Sequence, residues 1–272
     1  MKILIIGCGY VGSALGQTLI QLGHEVVGTT TTPSRLDELE NLGITPMQLD
    51  LTDADRLRDA LREQDTVYLT IAPRQRGMNY RDVYLAAARR LVDAIRETSV
   101  RRIIYTGSTR VYGQTDGTWV DETSPTNPSD ENGEVLLQTE QTLLRGVEPP
   151  TTAAVLRLGG IYGPDRDFKQ RIRTLAGTAR TDADLYVNLV HLDDIVAALI
   201  ALLTVPYHGV LNLVDDSPER RQDLYDRTLA EASLPPVRWE RPPADDATRL
   251  GKRVRNDLVK RTLNLTLKHP AH

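Results

Sequence analysis

Residues 2–12 read KILIIGCGYVG. A short apolar run breaks into three glycines and leads into VGSALGQTLIQL (11–22), which carries helical spacing. Strand, glycine turn and helix in that order are the context a G-x-G-x-x-G motif needs, since glycine-rich connections are otherwise common. Gly7 permits the tight turn, Gly9 lets backbone approach a pyrophosphate, and Gly12 lets helix and strand pack closely. Tyr10 and Val11 then stand at the N-terminus of that helix, whose positive dipole end stabilises a bound diphosphate. A second strand, HEVVGTT (24–30), completes a dinucleotide-binding unit.

The alternation continues. ITPMQLD (44–50), TVYLTIA (66–72), RRIIYTG (101–107) and TTAAVLRL (151–158) read as strands, separated by helical patterns at 34–42, 54–64, 80–98 and about 134–146, with the Pro- and Gly-punctuated stretch 113–133 expected to be largely loop. Near-continuous apolar runs predict strands buried on both faces, as in a parallel sheet with helices on each side. The expected fold class is α/β, a doubly wound parallel (Rossmann) sheet over residues 1–164. LYVNLV (185–190) and GVLNLV (209–214) flank the helix DDIVAALIALL (193–203) and are expected to rejoin that sheet, so that 189–214 belongs with it. Residues 165–188 and 215–272 are expected to form a smaller, discontinuous substrate domain at the carboxyl ends of the strands, where such sheets bind ligands.

Composition narrows the partners. Among 272 residues, 33 basic and 37 acidic side chains give a net charge of −4, so no basic field invites nucleic acid. No segment reaches the ~18 unbroken apolar residues of a spanning helix, so no membrane partner is expected. The single cysteine, Cys8, excludes a disulfide within the chain and suits a reducing compartment, which predicts a cytoplasmic protein. Cys8 itself reads as a small residue fitting a tight turn.

The end of the second strand bears on the nucleotide. NAD sites usually place an acid there to bind the ribose 2′-hydroxyl. This chain has GTTTTPSR (28–35), with no acid before Asp37. The hydroxyls of Thr29 and Thr30 and the guanidinium of Arg35 suit a 2′-phosphate, so NADP is the expected cofactor and NAD the alternative.

Four stretches carry a family resemblance: GCGYVG (7–12), GSTRVYG (107–113), LRLGGIYGP (156–164) and VHLDDIVAAL (190–199). The tail GKRVRNDLVKRTLNLTLKHP (251–270) adds to it. Together they resemble the extended or atypical short-chain dehydrogenase/reductases, the NAD-dependent epimerase/dehydratase family. The resemblance implies that Ser108 hydrogen-bonds a substrate oxygen. It also implies that Asp50, followed by Leu51, meets the adenine, and that the backbone of Ile71, Ala72 and Pro73 lines the cofactor. In the family a Tyr and a Lys, spaced YxxxK at a helix start, exchange the substrate proton. NGEVLLQTE (132–140) stands there instead, placing Asn132 at the Tyr position and Leu136 at the Lys position, and residues 126–145 contain neither Tyr nor Lys. Asn and Leu cannot deliver a proton near neutral pH.

Tyr112, beside Ser108, and Tyr162 are the substitutes the sequence offers besides another cleft residue or a water, although each reads first as a buried structural ring whose hydroxyl finds a partner. Each would need a nearby cation such as Arg110 or Arg157 to bring its hydroxyl into range. Arg74 and Arg76 are candidate anchors for an anionic substrate. His191, Asp193 and Asp194 lack a partner at ligand spacing, so no metal is expected. The family's dimer helices correspond to 80–98 and 134–146. Leu85, Leu91, Val92 and Ile95 suit such an interface or the sheet, so monomer and homodimer both fit. The function expected is an NADP(H)-binding oxidoreductase or epimerase acting on a nucleotide sugar or other small polar metabolite by non-standard proton transfer. The alternative is an inactive NAD(P)-binding sensor or partner-binding protein.

Overall fold

The computed structural model describes residues 1–73, 75, 77–96, 98–241 and 250–269. Seven parallel strands form one sheet in the spatial order Gly209–Leu213, Thr152–Leu158, Arg102–Ser108, Thr66–Leu69, Lys2–Ile6, Glu25–Thr30 and Thr45–Gln48. From Lys2–Ile6 the chain builds outward to one edge, then returns to Thr66–Leu69 and builds toward the other. That reversal leaves a crevice beyond the strand ends, the usual ligand position in open α/β sheets.

Each strand serves two cores. Leu4 and Ile6 pack with Leu57, Leu91 and Leu143 on one face. Ile3 and Ile5 pack with Leu15, Leu19, Ile195 and Leu199 on the other. With both faces dry, successive residues must all be apolar, and each fully buried Leu or Ile contributes roughly 1.5–3 kcal/mol. Leu85, Leu91, Val92 and Ile95 lie in the first core, so the apolar stripe of that helical segment faces the sheet. A third, smaller cluster gathers Ile172, Leu224, Leu229 and Val237 away from the sheet.

Two expectations change. LYVNLV does not rejoin the sheet. It splits into Tyr186–Val187, antiparallel to Glu219–Arg220, and Leu189–His191, parallel to Gly160–Tyr162. Gly159 and Gly160 admit this second pairing: Gly160 N donates to Asn188 O at 2.8 Å, and a Cβ on Gly159 would lie 2.7 Å from that oxygen. The loop expected over 113–133 contains the strand Asp116–Val120, whose partner is Gly251–Val254, far along the chain. GVLNLV behaves as expected, with Gly209–Leu213 beside Thr152–Leu158. Among the described residues no helix is long and apolar enough to cross a membrane.

Candidate functional site

Gly7 ends the first strand at φ +85°, and a Cβ there would lie 2.7–2.9 Å from Ile71. Only glycine fits that conformation and space. The turn is braced from below: Cys8 N donates to Thr29 O at 2.8 Å, Gly7 N to Thr29 Oγ1 at 3.2 Å, and Thr70 Oγ1 to Gly7 O at 2.9 Å. In the helix Tyr10–Gln21, a Cβ on Gly12 would meet Thr70 Oγ1 at 2.8 Å and Ile5 at 3.1 Å. Gly9 is different, because a Cβ there would meet nothing nearer than Gly7 O at 3.9 Å. The space before the first N–H groups of the helix, at Tyr10 and Val11, is therefore open. That combination of cradle and helix N-terminus fits a pyrophosphate. The Tyr10 hydroxyl donates to Pro164 O at 2.6 Å, tying the turn to the chain beyond the sheet.

Not every expected cofactor residue faces this cradle. Thr29 is 2% exposed and its hydroxyl takes the Gly7 N–H, so its side chain braces the turn and does not reach toward a 2′-phosphate. Thr30 Oγ1 accepts from Thr32 N at 3.1 Å. Arg35 lies across the turn, with Nη2 3.3 Å from Cys8 O and 3.5 Å from Ser13 Oγ, while its buried Nε lacks a hydrogen-bond partner. Asp50 Oδ1 accepts from Thr52 N and Oγ1, both at 2.8 Å. The helix Ala54–Leu61 is capped by Asp53, which accepts from Arg56 N. Leu51 packs against the first core, and Ile71, Ala72 and Pro73 follow the fourth strand, with Ile71 against Gly7. The Cys8 thiol is buried toward Gly28, and desolvation pushes it up to about 11, which leaves it inert.

Pairing of Leu69 with Tyr105, and of Ile6 with Leu69, brings Ser108 to the same end of the sheet. Ser108 Oγ accepts from Arg110 N at 3.2 Å. It lines a cavity of about 350 Å³ together with Tyr186, Asn188 and Lys252. A second cavity, of about 400 Å³, is lined by Gln114, Ser129, Thr181 and Asp182 and shares Gly251 and Lys252 with the first.

Tyr112 takes the structural of its two expected roles. Its hydroxyl is buried in a network: it accepts from Arg157 Nη1 at 2.8 Å and has Asp121 O at 2.8 Å and Asn212 Oδ1 at 3.0 Å as acceptors. Arg157 in turn pairs with buried Glu140. Desolvation raises the Tyr112 hydroxyl above the ordinary tyrosine value despite the guanidinium. A hydroxyl so committed is a packing element and a poor proton carrier. Tyr162 is also packed, edge-on to Phe168 and His191, and burial pushes it up to about 12.

The helix Glu131–Gly146 starts beside this cleft. Asp130 caps it, accepting from Gly133 N at 2.8 Å and holding the Arg110 guanidinium through three contacts of 3.0–3.1 Å. Asn132 is half-buried in its first turn, and Leu136 lies in the core at 5% exposure. Arg74 and Arg76, the expected anion anchors, lie outside the described residues. Beside Gly163 and Tyr10, His191 caps the helix Leu192–Thr204, its Nδ1 accepting from Asp193 N at 3.1 Å. His269 stacks on His191 at 3.6 Å and contacts Asp193 at 3.1 Å, a grouping of His191, Asp193 and His269 that chain spacing conceals. The rings lie face to face, and His191 Nδ1 is already engaged by the helix.

The family model described as "NAD dependent epimerase/dehydratase family" matches residues 3–213. The chain belongs to that family. Protein YeeZ of Escherichia coli (strain K12) is 34% identical over 244 residues, covering 88% of this chain and 86% of that protein. A protein from Silicibacter pomeroyi DSS, described as functionally unknown and conserved, aligns at TM-score 0.78 with 28% identity, covering 99% of this chain and 94% of that one. UDP-glucose 4-epimerase from Thermotoga maritima, solved with UDP-glucose, shares the fold at TM-score 0.83 and 19% identity, over 98% of this chain and 94% of its own.

Lys252 is the cleft residue that sequence reading passes over. Family motifs direct attention to the helix start near 132, whereas Lys252 arrives on the strand Gly251–Val254 from 120 residues further on. The available signal was scarcity: the chain has only five lysines, at 2, 169, 252, 260 and 268.

Proposed function

We propose that this member of the epimerase/dehydratase family is an NADP(H)-dependent oxidoreductase or epimerase-like enzyme. It acts on a hydroxyl-bearing nucleotide sugar or other small polar metabolite. The observation that carries this reading is the open cradle at Gly9 at the same strand ends as the Ser108 cavity. On this reading the nicotinamide supplies or accepts the hydride. Gly7, Gly9, Gly12 and the first N–H groups of the helix hold the diphosphate, and Ser108 polarises the substrate oxygen. Arg35, lying across the turn with no acid at the end of the second strand, favours NADP over NAD. Residues 165–188 and 215–272, with their own small core, act as the substrate-facing lobe over the Rossmann part. UDP-glucose, which the Thermotoga protein binds, is a reasonable first probe of substrate class.

Asn132 and Leu136 at the family's proton-transfer positions favour a second reading, a nucleotide-binding protein without turnover. The two separate cleanly. Purified protein with NADP⁺ or NAD⁺ is offered UDP-glucose, UDP-glucuronic acid and a panel of small alcohols between pH 6 and 10, following absorbance at 340 nm and sugar epimers by NMR. Substrate-dependent reduction or epimerisation supports the enzyme. Tight nucleotide binding without any turnover supports the sensor.

A further inference from the structure

We propose that Lys252 is the acid–base residue of the cleft, its Nζ exchanging the substrate hydroxyl proton in place of the pair that Asn132 and Leu136 replace; this rests on the enzyme reading above. Lys252 lines the same cavity as Ser108 and also borders its neighbour, where its Nζ reaches the Tyr112 carbonyl.

The fold holds this lysine deliberately. Gly251 turns at φ +70°, and the pairing register with Asp116–Val120 shifts between Gly251 and Arg253, so Lys252 sits at a break in the ladder. Such breaks re-aim side chains. Asn188 clamps the strand immediately after the residue, donating to Lys252 O at 3.0 Å and accepting from Val254 N at 2.8 Å. The Arg253 guanidinium lies 4.9 Å from the Trp119 and Tyr186 rings and donates to Gly117 O. Nζ itself donates to Tyr112 O at 2.7 Å. One donor is thereby fixed, and two positions on the ammonium remain for a substrate.

Its charge environment suits proton exchange. Lys2, Lys169 and Lys260 pair with Glu63, Glu231 and Asp216, whereas Lys252 meets a carbonyl. Burial, then Arg110, lowers the amine to about 8, with Asp130 opposing. Asp130 is itself held by Arg110, and Asp182, across the second cavity, pairs with Arg180 and Arg221. An amine near 8 is a competent base and acid close to neutrality, unlike an ordinary lysine. In the oxidative direction the substrate O–H proton passes to neutral Nζ and the C=O bond forms. The carbon's hydride would go to the oxidised nicotinamide that the glycine turn would hold, so that the products would be ketone, reduced nicotinamide and the Lys252 ammonium. Reduction is the reverse.

Two measurements test this. In protein labelled with ¹³C-lysine, five Cε signals are followed from pH 6 to 11, with and without NADP⁺, and K252R identifies the Lys252 signal. A midpoint near 8 is expected; one above 10 would overturn the proposal. With a substrate found in the panel above, K252M and K252R should both lose kcat by about 100-fold or more while KM and NADPH affinity stay within threefold. Arginine preserves charge but cannot exchange the proton. Wild-type turnover by K252R would therefore overturn Lys252 alone. Absence of turnover in the wild type at every pH would overturn the enzyme reading, and Lys252's role with it.

Discussion

Gly7 and Gly9 stand two residues apart and are glycine for different reasons. At Gly7 the backbone has φ +85° and a side chain would strike Ile71. Gly7→Ala should therefore cost about 1–3 kcal/mol of stability, read as a lowered Tm. At Gly9 φ is −94° and the nearest atom to a Cβ is 3.9 Å away. Gly9→Ala should fold with wild-type Tm yet bind NADPH at least tenfold more weakly, because the methyl enters space reserved for the ligand. Equal Tm losses in both variants would show that the cradle is only packing. Tyr112 tests the same distinction. Tyr112→Phe removes the acceptor of Arg157 Nη1 inside a buried network, so it should lower stability by about 1–3 kcal/mol while leaving kcat within a fewfold. A loss of kcat by 100-fold at unchanged stability would restore Tyr112 as proton carrier.

Among the elements, the helix Leu192–Thr204 carries a pH-sensitive cap. His191 accepts the Asp193 N–H through Nδ1, and burial, then the neighbouring His269, depresses its titration below the usual 6.5. The unfolded chain therefore binds the proton more readily than the folded one. His191's share of the stability is complete above about pH 6.5 and is lost as the pH falls below it. His191→Asn keeps a capping acceptor without the titration. Between pH 7 and 5 its Tm should fall less steeply than that of the wild type, and parallel curves would contradict the assignment. Elements of this kind differ in how well sequence announces them. The strands Lys2–Ile6 and Thr66–Leu69 were readable because both faces are buried and every position declares itself. Asp116–Val120 was not, because its partner lies beyond residue 250 and three of its five positions are exposed. LYVNLV has strand composition, yet nothing in it reveals that Asn188 binds Gly160 and draws it off the sheet.

For the whole molecule, the doubly wound sheet and the glycine turn were legible because they rest on local order: strand, turn, helix, strand. The cleft was legible only in part. Ser108 closes the strand Arg102–Ser108 and so lines a cavity at the strand ends, whereas Lys252, Asn188 and the Arg110–Asp130 pair meet through contacts spanning up to 140 residues. Conversely, Thr29 and Tyr112 occupy the expected segments with side chains turned inward, since one-dimensional position does not report which way a side chain points when both directions are packed. The central claim is that this sheet holds a nicotinamide dinucleotide, with Arg35 reading its 2′-phosphate. It is tested most directly by calorimetric titration of NADPH and NADH into the wild type and Arg35→Ala. The account predicts that the wild type binds NADPH at least about tenfold more tightly than NADH, a difference of about 1.4 kcal/mol. Arg35→Ala should erase that preference while sparing NADH. Binding of neither nucleotide by the wild type would contradict the account, as would a preference for NADH indifferent to Arg35.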